Sequence, residues 1–291
     1  LSLHDALPIL YHCFAMVLGN LTMLVHGGTL VYPSTSFDPI RVLQAIDEEK
    51  CTVLHAVPTM YLALLNHPEF SQYDMSSLRT GISGGASCPM ELMQRIMNDM
   101  HMKELTIAYG MTETSPKSCH SLPTTPIDKR IATVGLVQPH LEVKIVDTDT
   151  GDTLPIGQVG EVLTKGYAVM LGYWNDTQKT AEAVVDGWMH TGDLGRMDEE
   201  GYITIVGRSK DMVIRGGENI FPIEIENYLY RHPKIADVQV VGVPDPVYGE
   251  VLAAWIITKH GQTLTEDAVR EFCRNHIAHY KIPTYIRFVD E

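Results

Sequence analysis

The chain of 291 residues is long enough for one large domain or two ordinary ones with a buried core, which excludes a disulfide-dense miniprotein. Its 22 Lys and Arg against 36 Asp and Glu leave a formal charge of −14, which opposes non-specific binding to nucleic acid or an anionic membrane but allows local basic sites. With 45% apolar and 20% charged residues it is neither disordered nor fibrous, and its most apolar stretch, Leu10 to Val25, is interrupted by His12, Gly19, Asn20 and Thr22, short of the roughly 20 residues a membrane span needs.

In chain order, Asp38-Pro39 reads as a helix start, with Pro39, Val42, Leu43 and Ile46 on one face. A buried strand over Thr52 to Val57 follows, then a helix near Thr59 to Leu65 and a strand near Leu78 to Ile82. Pro89 to Met102 carries Met90, Met93, Met97 and Met100 at helical spacing, which predicts a packed methionine face. Leu105 to Tyr109 closes the series as a strand. This alternation predicts an α/β fold with a largely parallel sheet and ligand sites at the carboxyl ends of its strands. From about Val134 short strands separated by turn signals, Leu141 to Val146 and Gly160 to Thr164, predict a small antiparallel β unit. A compact α+β unit begins after Arg208 to Asp211, with a helix from Pro222 to Tyr230 and strands at Val238 to Val243 and Ala253 to Ile257. The next helix has Val269, Phe272, Cys273 and His276 on one face, boxed by Thr263 and Glu266, and a last strand covers Ile286 to Val289. Cys13, Cys51, Cys88, Cys119 and Cys273 form no Cys-x-x-Cys pair, which argues against zinc and predicts packing roles.

Four motifs carry chemistry. Ser83-Gly84-Gly85-Ala86 lies between a strand and a helix, where glycines allow close backbone approach to a ligand, although a bare turn fits as well. Tyr109-Gly110-Met111-Thr112-Glu113-Thr114 combines an aromatic platform, a permissive glycine, a hydroxyl and a carboxylate, the parts needed to stack a base, bond a phosphate and hold Mg²⁺. In His190-Thr191-Gly192-Asp193 the acid suits two ribose hydroxyls, with a turn Asp as the plain alternative. Gly207-Arg208-Ser209-Lys210-Asp211, then Arg215-Gly216-Gly217-Glu218-Asn219 and Pro222-x-Glu224-x-Glu226, offers a cation for ribose or phosphate and a glycine pair for a second ligand, or simply a solvated turn.

Taken in this order, the four motifs resemble the adenylate-forming superfamily of acyl-CoA synthetases, luciferases and peptide-synthetase adenylation domains. Gly172-Tyr173-Trp174, Gly187-Trp188, His190 to Asp193 and Gly207 to Glu226 look closest to fatty acyl-CoA synthetases, particularly the medium-chain type. The resemblance implies a large AMP-binding domain over residues 1–207, built of sheet layers with helices and a small β-barrel, and a small α+β C-terminal domain over 208–291. It implies ATP or AMP, Mg²⁺ and coenzyme A as ligands and a fatty acid as substrate. Gly84, Gly85, Ala86, Tyr109, Gly110 and Met111 would line the adenine and acyl pocket, and Thr112 would bond the α-phosphate. Glu113 would hold Mg²⁺, Asp193 would take the ribose hydroxyls, and Arg208 would assist there. His12 matches an active-site histidine beside the carboxylate, although a packed core histidine fits its sequence equally. Lys210 matches a hinge between two half-reactions, and Gly216 and Gly217 match the segment that meets the CoA pantetheine.

The expected reaction is attack of a carboxylate on the α-phosphorus of ATP, giving an acyl-adenylate and pyrophosphate, followed by displacement of AMP by the CoA thiolate. Other carboxylates, loading of a carrier protein, or a non-catalytic nucleotide or acyl-CoA binding module are the alternatives. The implied compartment is the cytoplasm, or the mitochondrial matrix in a eukaryote. Two cationic elements of the family pattern fall outside the sequence: a phosphate loop with its lysine before His12, and the lysine of a Pro-x-x-x-x-Gly-Lys segment after Val289. Lys281 belongs to an earlier motif, and Leu1 to Ile9 match no family pattern. The reading therefore expects roughly the second half of a longer protein, impaired in adenylation on its own.

Overall fold

A computed structural model describes residues 2–5 as backbone and residues 12–86 and 88–289 with side chains. The chain divides into two compact units, one of Leu1–Thr191 with Arg196–Thr204 and one of Gly192–Gly195 with Ile205–Glu291.

The first unit opens with β1 (Ser2–Asp5), a π-wound segment over Phe14–Leu21 that runs into α1 (Thr22–His26), and β2 (Thr29–Val31). Then α2 (Pro39–Glu49), β3 (Val53–His55), α3 (Pro58–Leu65), β4 (Thr80–Gly84), α4 (Met90–Asp99) and β5 (Glu104–Tyr109) alternate. Short β6 (Cys119–His120), α5 (Ile127–Ala132) and β7 (Leu136–Val137) complete a seven-stranded sheet ordered β2-β1-β3-β4-β5-β6-β7. The pairs from β2 through β5 are parallel and those of β6 antiparallel.

Local chemistry explains the helix boundaries. Asp38 accepts hydrogen bonds from the Ile40 and Arg41 amides at 3.0 and 3.3 Å and Pro39 supplies a preset first φ, while α2 stops where Lys50 turns to φ 50°. Val42, Leu43 and Ile46 of α2, Tyr61 and Leu64 of α3 and Leu92, Met93 and Ile96 of α4 pack over Leu54, Leu105 and Ile107 of the sheet. Each such buried side chain stabilises the fold by about 1.5–3 kcal/mol. The methionine face departs from its prediction: α4 ends at Asp99, Met90 is 43% exposed and Met97 half-buried. The buried helical positions are Leu92, Met93 and Ile96, and Met100 and Met102 enter the same core from the following turn.

Side chains alternate along strands, so His55, Ile82, Thr106 and Ala108 occupy the sheet's opposite face. There Phe14 and Leu18 pack on Ile82 and Ala108, and the Phe14 and His55 rings lie 6.2 Å apart.

A second sheet holds β8 (Leu141–Val146), β9 (Gly160–Gly166), β10 (Val184–Val185) and β11 (Trp188–Met197) in the order β10-β11-β9-β8, with β12 (Ile203–Arg208) on β11 and α6 (Thr177–Ala183) before β10.

In the second unit, β13 (Val213–Arg215), β14 (Glu218–Ile220), α7 (Pro222–Leu229), β15 (Ile235–Asp245), β16 (Gly249–Thr258), α8 (Glu266–Cys273) and β17 (Tyr285–Phe288) form an α+β layer. The sheet order is β14-β13-β16-β15 with β17 parallel to β16. Strands β15 and β16 exceed their predicted spans because they pair as one hairpin that carries Pro244 within its ladder, opposite Glu250. Thr265, not Thr263, caps α8, accepting from the Ala268 amide at 3.2 Å. His276 lies beyond that helix, since the chain leaves it at Arg274 (ψ 138°) and Asn275 (φ 62°). No helix among the described residues is long and apolar enough to cross a membrane.

Candidate active site

Strands β4 and β5 run parallel in register, with Gly84 opposite Ala108, so their carboxyl ends deliver two loops side by side. A β-carbon on Gly84 would come within 3.2 Å of the Ala108 carbonyl oxygen and 3.5 Å of the Phe14 ring, and Gly85 has φ 82°, so glycine suits both positions. Gly85 and Ala86 are exposed at the mouth of this turn.

Past β5 the chain doubles back. The Ser118 amide donates to the Tyr109 carbonyl at 2.8 Å, and a β-carbon on Gly110 would sit 2.3 Å from the Pro116 carbonyl oxygen and 2.4 Å from the Lys117 Cα. Gly110 is therefore required by its own loop. Within the fold-back, Thr112–Thr114 make one 3₁₀ turn. Buried Thr114 closes it, its hydroxyl accepting from the Met111 amide and donating to the Met111 carbonyl, both at 3.1 Å. The turn leaves Thr112 exposed and Glu113 half-buried.

Two other segments meet this turn. The Cys13 thiol donates to the Thr112 hydroxyl at 3.6 Å, and neighbouring His12, exposed, accepts the Phe14 amide on Nδ1 at 3.1 Å. That bond leaves Nε2 as the proton-bearing nitrogen of neutral His12. His12, Phe14, Gly84, Gly85 and Tyr109 to Met111 line one shallow cleft of about 40 Å³. It is too small to enclose an alkyl chain and sets no chain length. On the other side the Tyr173 hydroxyl donates to Glu113 Oε1 at 2.8 Å, which raises the Tyr173 pKa because ionisation would face a carboxylate. Tyr173 is itself anchored, its amide donating to the Thr180 hydroxyl at 2.9 Å.

The donor set here suits Mg²⁺. Among the described residues no three His, Cys, Asp or Glu side chains cluster, but the Glu113 carboxylate and Thr112 hydroxyl are adjacent hard oxygens. Mg²⁺ characteristically takes one or two protein oxygens and completes its shell with substrate phosphates and water.

Lys117 also lines this cleft and leads into a polar cluster that sequence reading did not single out. The Lys117 ammonium donates to His120 Nδ1 at 3.0 Å, His120 Nε2 meets the Thr106 hydroxyl at 2.9 Å, and that hydroxyl donates to the Gly81 carbonyl at 3.0 Å. Burial, reinforced by Lys117, pushes the His120 pKa down to about 3, and burial lowers that of Lys117. His55, buried and accepting the Ile82 amide on Nδ1 at 3.0 Å, is pushed down to about 4 by burial. A lone lysine in a loop gives no sequence signal, and Tyr173 stood in a quoted motif without a role.

The remaining predicted residues belong to the second unit. Asp193, its side chain 13% exposed, accepts from Arg208 Nε at 3.2 Å, whereas Arg208 is 60% exposed. The flanking His190 and Thr191 do structural work: Thr191 donates to the Val162 carbonyl at 2.6 Å and His190 bonds Glu161 at 2.9 Å. Lys210 is exposed in the short turn Ser209–Asp211. Gly216 and Gly217 form the two-residue tip between β13 and β14, with φ 58° and 91°, the positive pair that a tight hairpin demands.

The profile of AMP-binding enzymes matches residues 6–174, which corrects the expectation that nothing before Leu10 fits the family, and that of the AMP-binding enzyme C-terminal domain matches 224–291. The chain is 49% identical to the protein YngI of Bacillus subtilis (strain 168), covering 97% of this chain and 51% of that one. It is 46% identical to the mitochondrial medium-chain acyl-CoA ligase ACSF2 of Danio rerio, covering 98% and 47%. It thus spans about half the length of the curated relatives it matches. Among solved structures, the anthranilate CoA ligase AuaEII in complex with anthranoyl-AMP superposes with a TM-score of 0.89 at 30% identity, over 100% of this chain and 56% of that one.

Proposed function

The chain belongs to the AMP-binding enzyme family, whose adenylate-forming α/β fold it shares, and from that premise we propose that it acts as an acyl-CoA synthetase for a medium-chain fatty acid. The observation that carries this reading is the Thr112–Thr114 turn, which offers a hydroxyl and a carboxylate at the carboxyl end of β5 beside the glycine turn of β4. Relatives named as mitochondrial medium-chain acyl-CoA ligases support the substrate and, in a eukaryote, a mitochondrial location.

In this reading the Thr112 hydroxyl bonds the α-phosphate and Glu113 binds Mg²⁺. When bound, the ion would neutralise phosphate charge. Gly84 to Ala86 and Tyr109 to Met111 give the backbone and aromatic surface for adenine and the acyl group, and His12 faces the reacting carboxylate. Asp193 accepts the ribose hydroxyls, with Arg208 holding it in place through the bond just described. Lys210 is the hinge between half-reactions and Gly216-Gly217 the approach for pantetheine. The domains are residues 1–207 and 208–291, joined there.

Calorimetry with octanoyl-sulfamoyl-adenosine, a stable mimic of the acyl-adenylate, tests the reading. The mimic should bind at least about tenfold more tightly than AMP, and Thr112→Ala and Asp193→Ala should each weaken it by about 1–2 kcal/mol. Binding no tighter than AMP would sink it.

A further inference from the structure

Among the described residues that line the cleft with His12, Gly84, Gly85 and Gly110, Lys117 alone is a lysine or arginine. Its Cα abuts Gly110, where an added β-carbon would come within 2.4 Å, so the fold-back after β5 fixes the root of the side chain at the cleft wall. The ammonium is half-buried and donates to His120 Nδ1 at 3.0 Å, and no carboxylate pairs with it among the described residues. Burial holds the pKa of His120 at about 3 and that of His55 at about 4, so neither ring carries charge at neutral pH. A cation partly sheltered from water without a counter-charge is costly, and that cost falls when an anion is brought beside it. The Thr112–Thr114 turn adjoins the cleft through Cys13, while the wall itself carries His12 and Lys117. The cleft volume of about 40 Å³ is room for about three water-sized groups at roughly 10–15 Å³ each, the size of a carboxylate on its α-carbon.

We propose that Lys117 is a binding residue for the reacting carboxylate of the acid, which its ammonium and the Nε2–H of His12 hold together in this cleft. This rests on the acyl-CoA synthetase reading and adds a residue to it. Both donors suit an anion small enough for the cleft, and a hydrogen bond from a cation to a carboxylate is roughly twice as strong as one between neutral groups. When a carboxylate oxygen bonds the α-phosphorus and pyrophosphate leaves, the charge of the carboxylate is lost. The ammonium then keeps His120 Nδ1 as its acceptor. Lys117 therefore separates the free acid from a neutral group of the same shape.

The test titrates the full chain with octanoate and with octanamide, each labelled with carbon-13 at its first carbon and read by NMR. The two differ in charge and hardly in size. The wild-type protein should bind octanoate at least about tenfold more tightly. Lys117→Met should abolish that preference with octanamide affinity unchanged, and Lys117→Arg should retain most of it. AMP affinity should be the same in all three. Thermal denaturation reports folding, and Lys117→Gln, which can still donate to His120, serves should the methionine variant unfold. No preference for octanoate in the wild type, equal loss of octanoate and octanamide in the neutral variants, or loss of AMP affinity along with that of the acid overturns the proposal. Octanoyl-sulfamoyl-adenosine has no free carboxylate and should bind the neutral variants as it binds the wild type. Its failure to bind the wild type more tightly than AMP overturns the underlying acyl-adenylate reading instead.

Discussion

The Tyr173 hydroxyl occupies one oxygen of the Glu113 carboxylate and is held by the Thr180 contact behind it, so the tyrosine sets the direction in which Glu113 points. Tyr173→Phe should weaken Mn²⁺ binding in the presence of ATP about three- to tenfold, the worth of one ordinary solvent-accessible hydrogen bond, as read by electron paramagnetic resonance. ATP affinity without metal should be unchanged; an unchanged Mn²⁺ affinity would remove Tyr173 from that role. Glycine roles separate in the same way. Gly110→Ala meets backbone atoms of Pro116 and Lys117 and should cost more than about 2 kcal/mol in urea denaturation. Gly217→Ala meets nothing within 4 Å and should cost only about 1 kcal/mol for its positive φ, so a larger loss of CoA affinity there would report ligand approach and not hairpin strain.

At the scale of elements, what was legible depended on how local the cause is. Asp38-Pro39 marks a helix start because the cap bonds reach only two and three residues along the chain. The end of α4 was not legible, because Met100 and Met102 satisfy the same hydrophobic demand from a turn that a longer helix would have met. Thr263 and Thr265 are equally good caps by composition, and packing of Val269 and Cys273 against the second core selects the latter. The Thr112–Glu113 motif was legible as chemistry, whereas its support from Cys13 and Tyr173 joins positions 99 and 60 residues apart and leaves no trace in the local sequence.

At the scale of the molecule, buried histidines couple stability to pH. The His55 pKa is pushed from 6.5 when unfolded to about 4 when folded, because burial disfavours the charged ring, and the nearby Lys117 charge adds to this. The unfolded chain therefore takes up the proton first as pH falls. The contribution is complete above pH 6.5 and is lost towards pH 4, on the order of 3 kcal/mol. Urea midpoints should fall across that window, and His55→Gln should flatten the slope; an unchanged slope would reject the assignment. For the two units, Lys210→Pro should slow thioester formation at least about tenfold more than adenylation when the half-reactions are timed separately, since proline restricts the φ rotation a hinge needs. Equal slowing of both would count against the hinge.

The sequence by itself determined the α/β class, most helix starts and the order of the four ligand motifs, because periodicity, caps and glycine turns act over a few residues and family motifs keep their spacing. Only the tertiary structure decided which residues surround those motifs. Lys117, His120, Thr106 and His55 share one sheet face through strand pairing between distant segments, and their burial changes what each side chain can do. A lysine in a loop is a solvated charge until a fold places it over a histidine and away from water.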